Sequence, residues 1–129
     1  VDSASGWHDR GVTDVISKHF YFTPIKVKKG EKPYVLSEFG GFSHRAKGHT
    51  FNDKMFGYKI YGTPESLAKA YKKTFEKVII PQIKTGLSAT VYTQLTDVED
   101  ELNGLLTYDR KVQKIPAAFL RKINERVKL

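Results

Sequence analysis

The pattern of apolar and polar positions divides the chain into five regular elements. Asp14-Val15-Ile16-Ser17-Lys18-His19-Phe20-Tyr21-Phe22 is β-branched and aromatic and closes at Thr23-Pro24, which predicts a strand. Period-two alternation puts His19 and Tyr21 on one face near the exit of that strand. After a charged connection from Lys26 to Lys32, Tyr34-Val35-Leu36 reads as a short buried strand. It is entered through Pro33 and left through Gly40-Gly41, with Glu38 where the strand ends. Thr63-Pro64-Glu65 is a helix start, with Thr63 as N-cap and Pro64 at the first helical position. Leu67, Tyr71, Phe75 and Val78 then recur at helical spacing, Pro81 is expected to kink or nearly end the helix, and Gly86 closes it. Leu87 to Leu95 predicts a further strand, and Ile115, Pro116, Ala117, Phe119, Leu120, Ile123 and Val127 predict an amphipathic helix to the end.

The connections add two features. Residues 43–62 form a long loop rich in glycine, basic and aromatic residues, and its aromatic content predicts that it folds down over something. Leu105 to Arg110 is a compact extended or turn segment after the acidic run Asp97-Val98-Glu99-Asp100-Glu101. Strand, strand, helix, strand, helix is an α/β order that implies a parallel sheet. Helices at only some of the crossovers make an incomplete unit, so the chain is expected to be a piece of a larger α/β barrel. Its opening at Val1, without an initiator methionine, fits that expectation.

Composition narrows the classes. At 129 residues the chain has the length of one domain, with 40% hydrophobic and 12% aromatic residues. Without cysteine there are no disulfides and no thiolate metal sites. No apolar run approaches a membrane span, and residues 1–20 lack the layout of a signal peptide. These features leave the compartment open, with a cytoplasmic location the expectation. The formal charge of +8 is spread over Lys26–Lys32, Lys69–Lys84 and Arg110–Lys128. Charge so dispersed is a solvated surface; a nucleic-acid binder would show a basic stripe interleaved with stacking aromatics. No nucleic-acid or membrane partner is expected.

The candidate chemistry begins with Glu38. At the carboxyl end of a strand in a parallel barrel, a carboxylate stands on the face where active sites collect. Gly40 and Gly41 keep bulk away from it. The bland alternative is a glutamate that caps a loop or pairs with a lysine. His44 and His49, five apart in a loop, lack metal-ligand spacing, and no metal or other cofactor is expected.

Several segments together carry a resemblance. They are Ser5-Gly6-Trp7, His19-Phe20-Tyr21, Val35-Leu36-Ser37-Glu38-Phe39-Gly40-Gly41 and the continuous block from Thr90 to Arg110, TVYTQLTDVEDELNGLLTYDR. In this order they resemble the catalytic domain of glycoside hydrolase family 2, the β-galactosidase and β-glucuronidase family. The resemblance covers nearly the whole chain, and the block after Thr90 is its most specific part. It implies the C-terminal half, about strands five to eight, of a (β/α)8 barrel, from an enzyme that hydrolyses β-glycosides with retention through two carboxyl groups. Glu38 falls on the nucleophile position. Tyr21 matches a tyrosine whose hydroxyl bonds the nucleophile, and His19 would line the same pocket. Tyr92 matches an aromatic position flooring the sugar site, and Trp7 would stack on sugar from the fifth strand. The family's acid/base follows an asparagine at the end of the fourth strand. Here the only Asn-Glu is Asn124-Glu125 in the last helix, so the acid/base is expected outside this chain. Some β-galactosidases carry a histidine three residues after the nucleophile, where this chain has Gly41; the resemblance does not extend to a galactose preference or its associated metal.

The function expected from the resemblance is part of an exo-β-glycosidase acting on carbohydrate. The alternatives are a non-catalytic carbohydrate-binding fragment, with Trp7, Tyr21 and Tyr92 as stacking platforms, and a nucleic-acid binder driven by charge. Half a barrel also has two open edges and an uncovered interior face, so self-association through the open sheet is expected.

Overall fold

The structure is a computed structural model, and it describes residues 1–2, 6–8, 11–22 and 25–128. Ser5 and the Thr23-Pro24 stop lie outside the described residues. Three parallel strands form the main sheet: β1 (Ile16–Phe20), β2 (Tyr34–Gly40) and β5 (Leu87–Thr93), in the order β1-β2-β5. Each new strand is thus added beside the previous one, in sequence order. A two-stranded parallel pair, β3 (Phe42–Ser43) with β4 (Lys59–Ile60), brings the long loop back on itself. The architecture is mixed α/β.

One face of the sheet is closed by helices. α1 (Pro64–Thr74) starts as its sequence predicts: the Thr63 side chain accepts from the Ser66 N–H and the Ser66 side chain returns to the Thr63 N–H, a reciprocal cap. Pro81 does not end the helical course. A π-helical turn, Phe75–Ile79, precedes it, and α2 (Ile80–Ile83) follows. The Ile80 N–H reaches back five residues to the Phe75 carbonyl. A widened turn just ahead of Pro81 accommodates a ring that regular α geometry would drive into the carbonyl four residues earlier. α3 (Ala117–Asn124) completes the layer and is shorter than its apolar pattern suggests.

The core lies between the helices and the sheet. Leu36, Phe39, Leu67, Tyr71, Phe75, Ile79, Leu87, Ile115 and Ile123 are buried together there. Phe39 makes edge contacts with Phe75 and Tyr92, and Tyr71 stacks on Phe75. Leu36 therefore belongs to the helix side, and not to the barrel-facing side on which simple alternation from Glu38 would put it. The reason is in the register. Between Leu36 and Phe39, β2 advances three residues while β5 advances two, Thr90 to Tyr92. Against β1 it advances from Leu36 to Glu38 while β1 advances one, Lys18 to His19. The central strand carries one extra residue at Ser37-Glu38, a β-bulge.

After β5 the chain makes a compact excursion through residues 94–114. Its anchor is a fully buried pair: Lys114 Nζ donates to Asp97 Oδ1 at 2.6 Å and to the Leu102 carbonyl at 3.0 Å. The Gly104 N–H donates to the same Asp97 oxygen at 2.8 Å. Burial pushes the Asp97 carboxyl up and the Lys114 ammonium down, and the contact between them works against both shifts. Gln94 bonds Asn103 and Glu101 at the base of the excursion.

Two outcomes are expected from this architecture. Lys114→Met should cost about 3–5 kcal/mol, because it strands the Asp97 charge in the interior, whereas Asp97→Leu combined with Lys114→Met should recover most of that loss. Urea denaturation of the three proteins checks this; a single variant as stable as the parent would contradict it. The second outcome concerns the sheet face away from the helices, where Val91 is 55% exposed and Leu95 lies beyond it. Two copies are expected to associate over this face, and Val91→Lys to shift the equilibrium toward monomer. Sedimentation at micromolar concentration reads both; a cooperatively unfolding monomer would show that the open face needs no cover.

Candidate functional site

The bulge decides where Glu38 stands. With Leu36 and Phe39 committed to the helix layer, Ser37 and Glu38 both turn to the opposite face. There the Ser37 hydroxyl meets that of Ser17 at 2.6 Å. Two further side chains of the first strand region reach Glu38. Tyr21 donates its hydroxyl to Glu38 Oε2 at 2.6 Å, and His19 Nδ1 lies 3.3 Å from the same oxygen. Both partners converge on Oε2. The Glu38 side chain is 41% exposed, while that of His19 is 12% exposed. The carboxylate is held from behind and open in front, at the carboxyl end of a parallel sheet.

Tyr21 is itself buried, stacked on Tyr58 with ring centroids 4.2 Å apart. Tyr58 comes from the long loop, so the aromatic content of that loop does fold down, and what it covers is Tyr21. Phe22 and Phe56 make edge contacts with Tyr58 and extend the cluster. Gly40 and Gly41 have positive φ, +106° and +61°. A Cβ at Gly40 would meet the Tyr92 ring at 2.5 Å, and one at Gly41 would meet the Tyr21 and Tyr58 rings at 2.9 Å. Both glycines are required by backbone conformation and by the rings pressed against them. Burial, and then the hydrogen bond to Glu38, push the Tyr21 phenol far above its usual range. It stays protonated, and therefore a donor, at any neutral or mildly alkaline pH.

Trp7 joins this group. It packs edge-on against His19, centroids 5.2 Å apart, and remains 57% exposed, with a broad indole surface free. It sits in a turn and not on a strand; the Gly6 carbonyl accepts from the His19 N–H. Tyr92 does not join. Its ring lies in the helix layer against Phe39, Phe42 and Tyr71, on the other side of the sheet from Glu38. Strand alternation accounts for this, since Thr90 and Tyr92 share one face and Val91 and Thr93 the other. The structure therefore does not bring Tyr92, expected to floor the sugar site, to Glu38.

The two loop histidines have structural partners. His44 Nδ1 contacts the Tyr61 carbonyl at 2.9 Å, and His49 Nδ1 contacts Asp109 Oδ2 at 2.9 Å. Among the described residues no cluster of three or more histidine, aspartate or glutamate side chains is arranged to hold a metal ion. No described helix is long and apolar enough to cross a membrane. Sequence reasoning missed Tyr58, whose only signal was the aromatic density of its loop. It also missed the bulge, for which a serine-glutamate pair between two large apolar residues is a faint sign.

No protein-family model matches the chain, and no curated protein matches it.

The Tyr21 hydrogen bond generates a pH test with a definite sign. A phenol whose pKa is raised by folding contributes stability that is complete below its ordinary value of about 10 and is lost as pH rises beyond it. The stability advantage of the parent over Tyr21→Phe should therefore be constant from pH 7 to 9 and shrink above about pH 10. Denaturation midpoints across that range check it; an advantage that does not change with pH would exclude the hydrogen bond as its source.

Proposed function

We propose that this chain carries the nucleophile half of a retaining β-glycosidase of the glycoside hydrolase family 2 type, acting on terminal β-glycosidic bonds of carbohydrates. In this proposal the sheet is the C-terminal part of a (β/α)8 barrel and Glu38 is the nucleophile. The observation that carries the reading is the convergence of Tyr21 and His19 on one oxygen of an otherwise open carboxylate at the carboxyl end of a parallel sheet. A nucleophilic carboxylate must be ionised, fixed in rotamer and accessible on one side. The Tyr21 hydroxyl fixes the rotamer by donating to Oε2, which leaves Oε1 for attack. His19 adds a polar edge to the pocket, and the exposed face of Trp7 is suited to stacking on the apolar face of a sugar ring.

The chemistry is a double displacement. A Glu38 oxygen attacks the anomeric carbon as the glycosidic C–O bond breaks, and a second carboxyl group protonates the departing oxygen. Water, deprotonated by that second group, then attacks the glycosyl ester, and Glu38 leaves as carboxylate. The second carboxyl must stand about 5–5.5 Å from Glu38. The partners of Glu38 here are Tyr21 and His19, and Glu125, of the only Asn-Glu, follows the last turn of α3. The acid/base is thus assigned to a segment outside these residues.

The isolated chain should stay at background on aryl β-galactosides, β-glucuronides and β-mannosides. In the full-length protein that contains both carboxyl groups, Glu38→Gln should abolish nearly all turnover with the fold intact. Tyr21→Phe should lose roughly 10- to 100-fold, the worth of one hydrogen bond to a charged group. Substantial turnover by Glu38→Gln would assign the nucleophile elsewhere. Sugar binding without turnover in the full-length protein would favour a carbohydrate-binding role, for which the exposed Trp7 is the supporting feature.

A further inference from the structure

A second concavity lies away from Glu38, between the loop that follows β3, α1 and the segment that leads into and begins α3. It is a cleft of about 760 Å³, and Glu38, Tyr21, His19 and Trp7 take no part in its lining. Its floor is hydrocarbon, from Ala68, Val112, Pro116 and Phe119. Its rim is cationic, from Arg45, Lys47, Lys69 and Lys72, against the single carboxylate of Glu65. A further lining lysine, Lys114, is cancelled by Asp97.

None of the four rim cations is within salt-bridge distance of a described carboxylate. Arg45 is nonetheless fixed, because its guanidinium donates to the Asp53 and Lys54 carbonyls at 2.9 and 3.2 Å. Carbonyl acceptors orient the group and leave its charge uncompensated. Cations held around an apolar floor repel one another, and a carboxylate or sulfonate head placed among them removes that repulsion. The floor then accepts a hydrocarbon or aryl body.

We propose that this cleft binds a small amphipathic organic anion, an aliphatic or aromatic body carrying one carboxylate or sulfonate head. The volume lies within the range of small-molecule sites, roughly 300–1,000 Å³, and favours a ligand of that size over an extended acidic polypeptide. The hydrocarbon floor selects against inorganic anions, which would leave it in contact with water.

Decanoate is a suitable probe, compared by calorimetry below its micelle concentration with decyltrimethylammonium and inorganic phosphate. Decanoate is expected to bind one to one, weaken with added salt, and produce NMR shifts at Ala68, Val112 and Phe119. Decyltrimethylammonium and phosphate are expected not to bind. The exposed double variant Lys47→Gln/Lys69→Gln should weaken decanoate at least tenfold, and Phe119→Ala should weaken it without altering the salt dependence. Equal binding of the cationic chain, equal affinity in the double variant, or shifts centred on Val91 of the open sheet would overturn the proposal. So would phosphate or a short aspartate peptide binding more tightly than decanoate.

Discussion

One extra residue in the central strand governs the arrangement of this molecule. A regular strand would send Leu36 and Phe39 to opposite faces. The bulge at Ser37-Glu38 lets both enter the helix-side core, where each is fully buried. Truncating a buried phenylalanine costs about 3–5 kcal/mol, far more than the irregular pairing of one residue. Packing therefore holds the bulge in place, and the bulge in turn fixes Ser37 and Glu38 on the open face. Local irregularity beside a candidate site is a recurrent way to aim a side chain, and here the force behind it is the apolar contact of Phe39 with Phe75 and Tyr92.

The same economy runs through the surroundings of Glu38. Tyr21 can donate to the carboxylate only if its ring is held, and it stacks on Tyr58 with the Gly41 backbone close against both rings. The loop carrying Tyr58 is secured by the short β3–β4 pairing and by the contact of His49 with Asp109. A chain of contacts thus connects the excursion after β5, through the long loop, to the hydroxyl that orients the carboxylate. Substitutions in either loop would reach Glu38 through the position of that one ring.

The legible parts of the fold were those set by local rules. The Thr63 cap, the helix it starts, the strands around Ile16, Tyr34 and Leu87 and their parallel pairing follow from capping, periodicity and element order. Glu38, Tyr21 and His19 were legible as a group because two of them alternate on one strand and the third ends the next. What escaped depends on contacts between distant residues. The register slip at Ser37 is decided by what Phe39 packs against, and a wide helical turn let the helix continue through Pro81. Tyr92 was named by resemblance alone, and the structure packs its ring against Phe39, Phe42 and Tyr71 instead of bringing it to Glu38.

Among the described residues, the segment Thr90 to Arg110 places no side chain in a hydrogen bond or ion pair with Glu38; its link to the group is Thr93, whose side chain hydrogen-bonds Tyr21. Its distinctive residues bond one another and the nearby Lys114: Asp97 accepts from Lys114 and the Gly104 N–H, Gln94 donates to Asn103, and Thr107 donates to Asp109. A Cβ at Gly104 would lie 2.2 Å from the Asp97 nitrogen, so the tightness of this knot also excludes other residues at that position. A buried charged pair is costly to form and more costly to leave half made. A sequence that commits to Asp97 must therefore also keep Lys114 and the turn between them. The sequence pattern here records a packing constraint, and the proposed chemistry depends on a less conspicuous group of one carboxylate, one phenol and one imidazole.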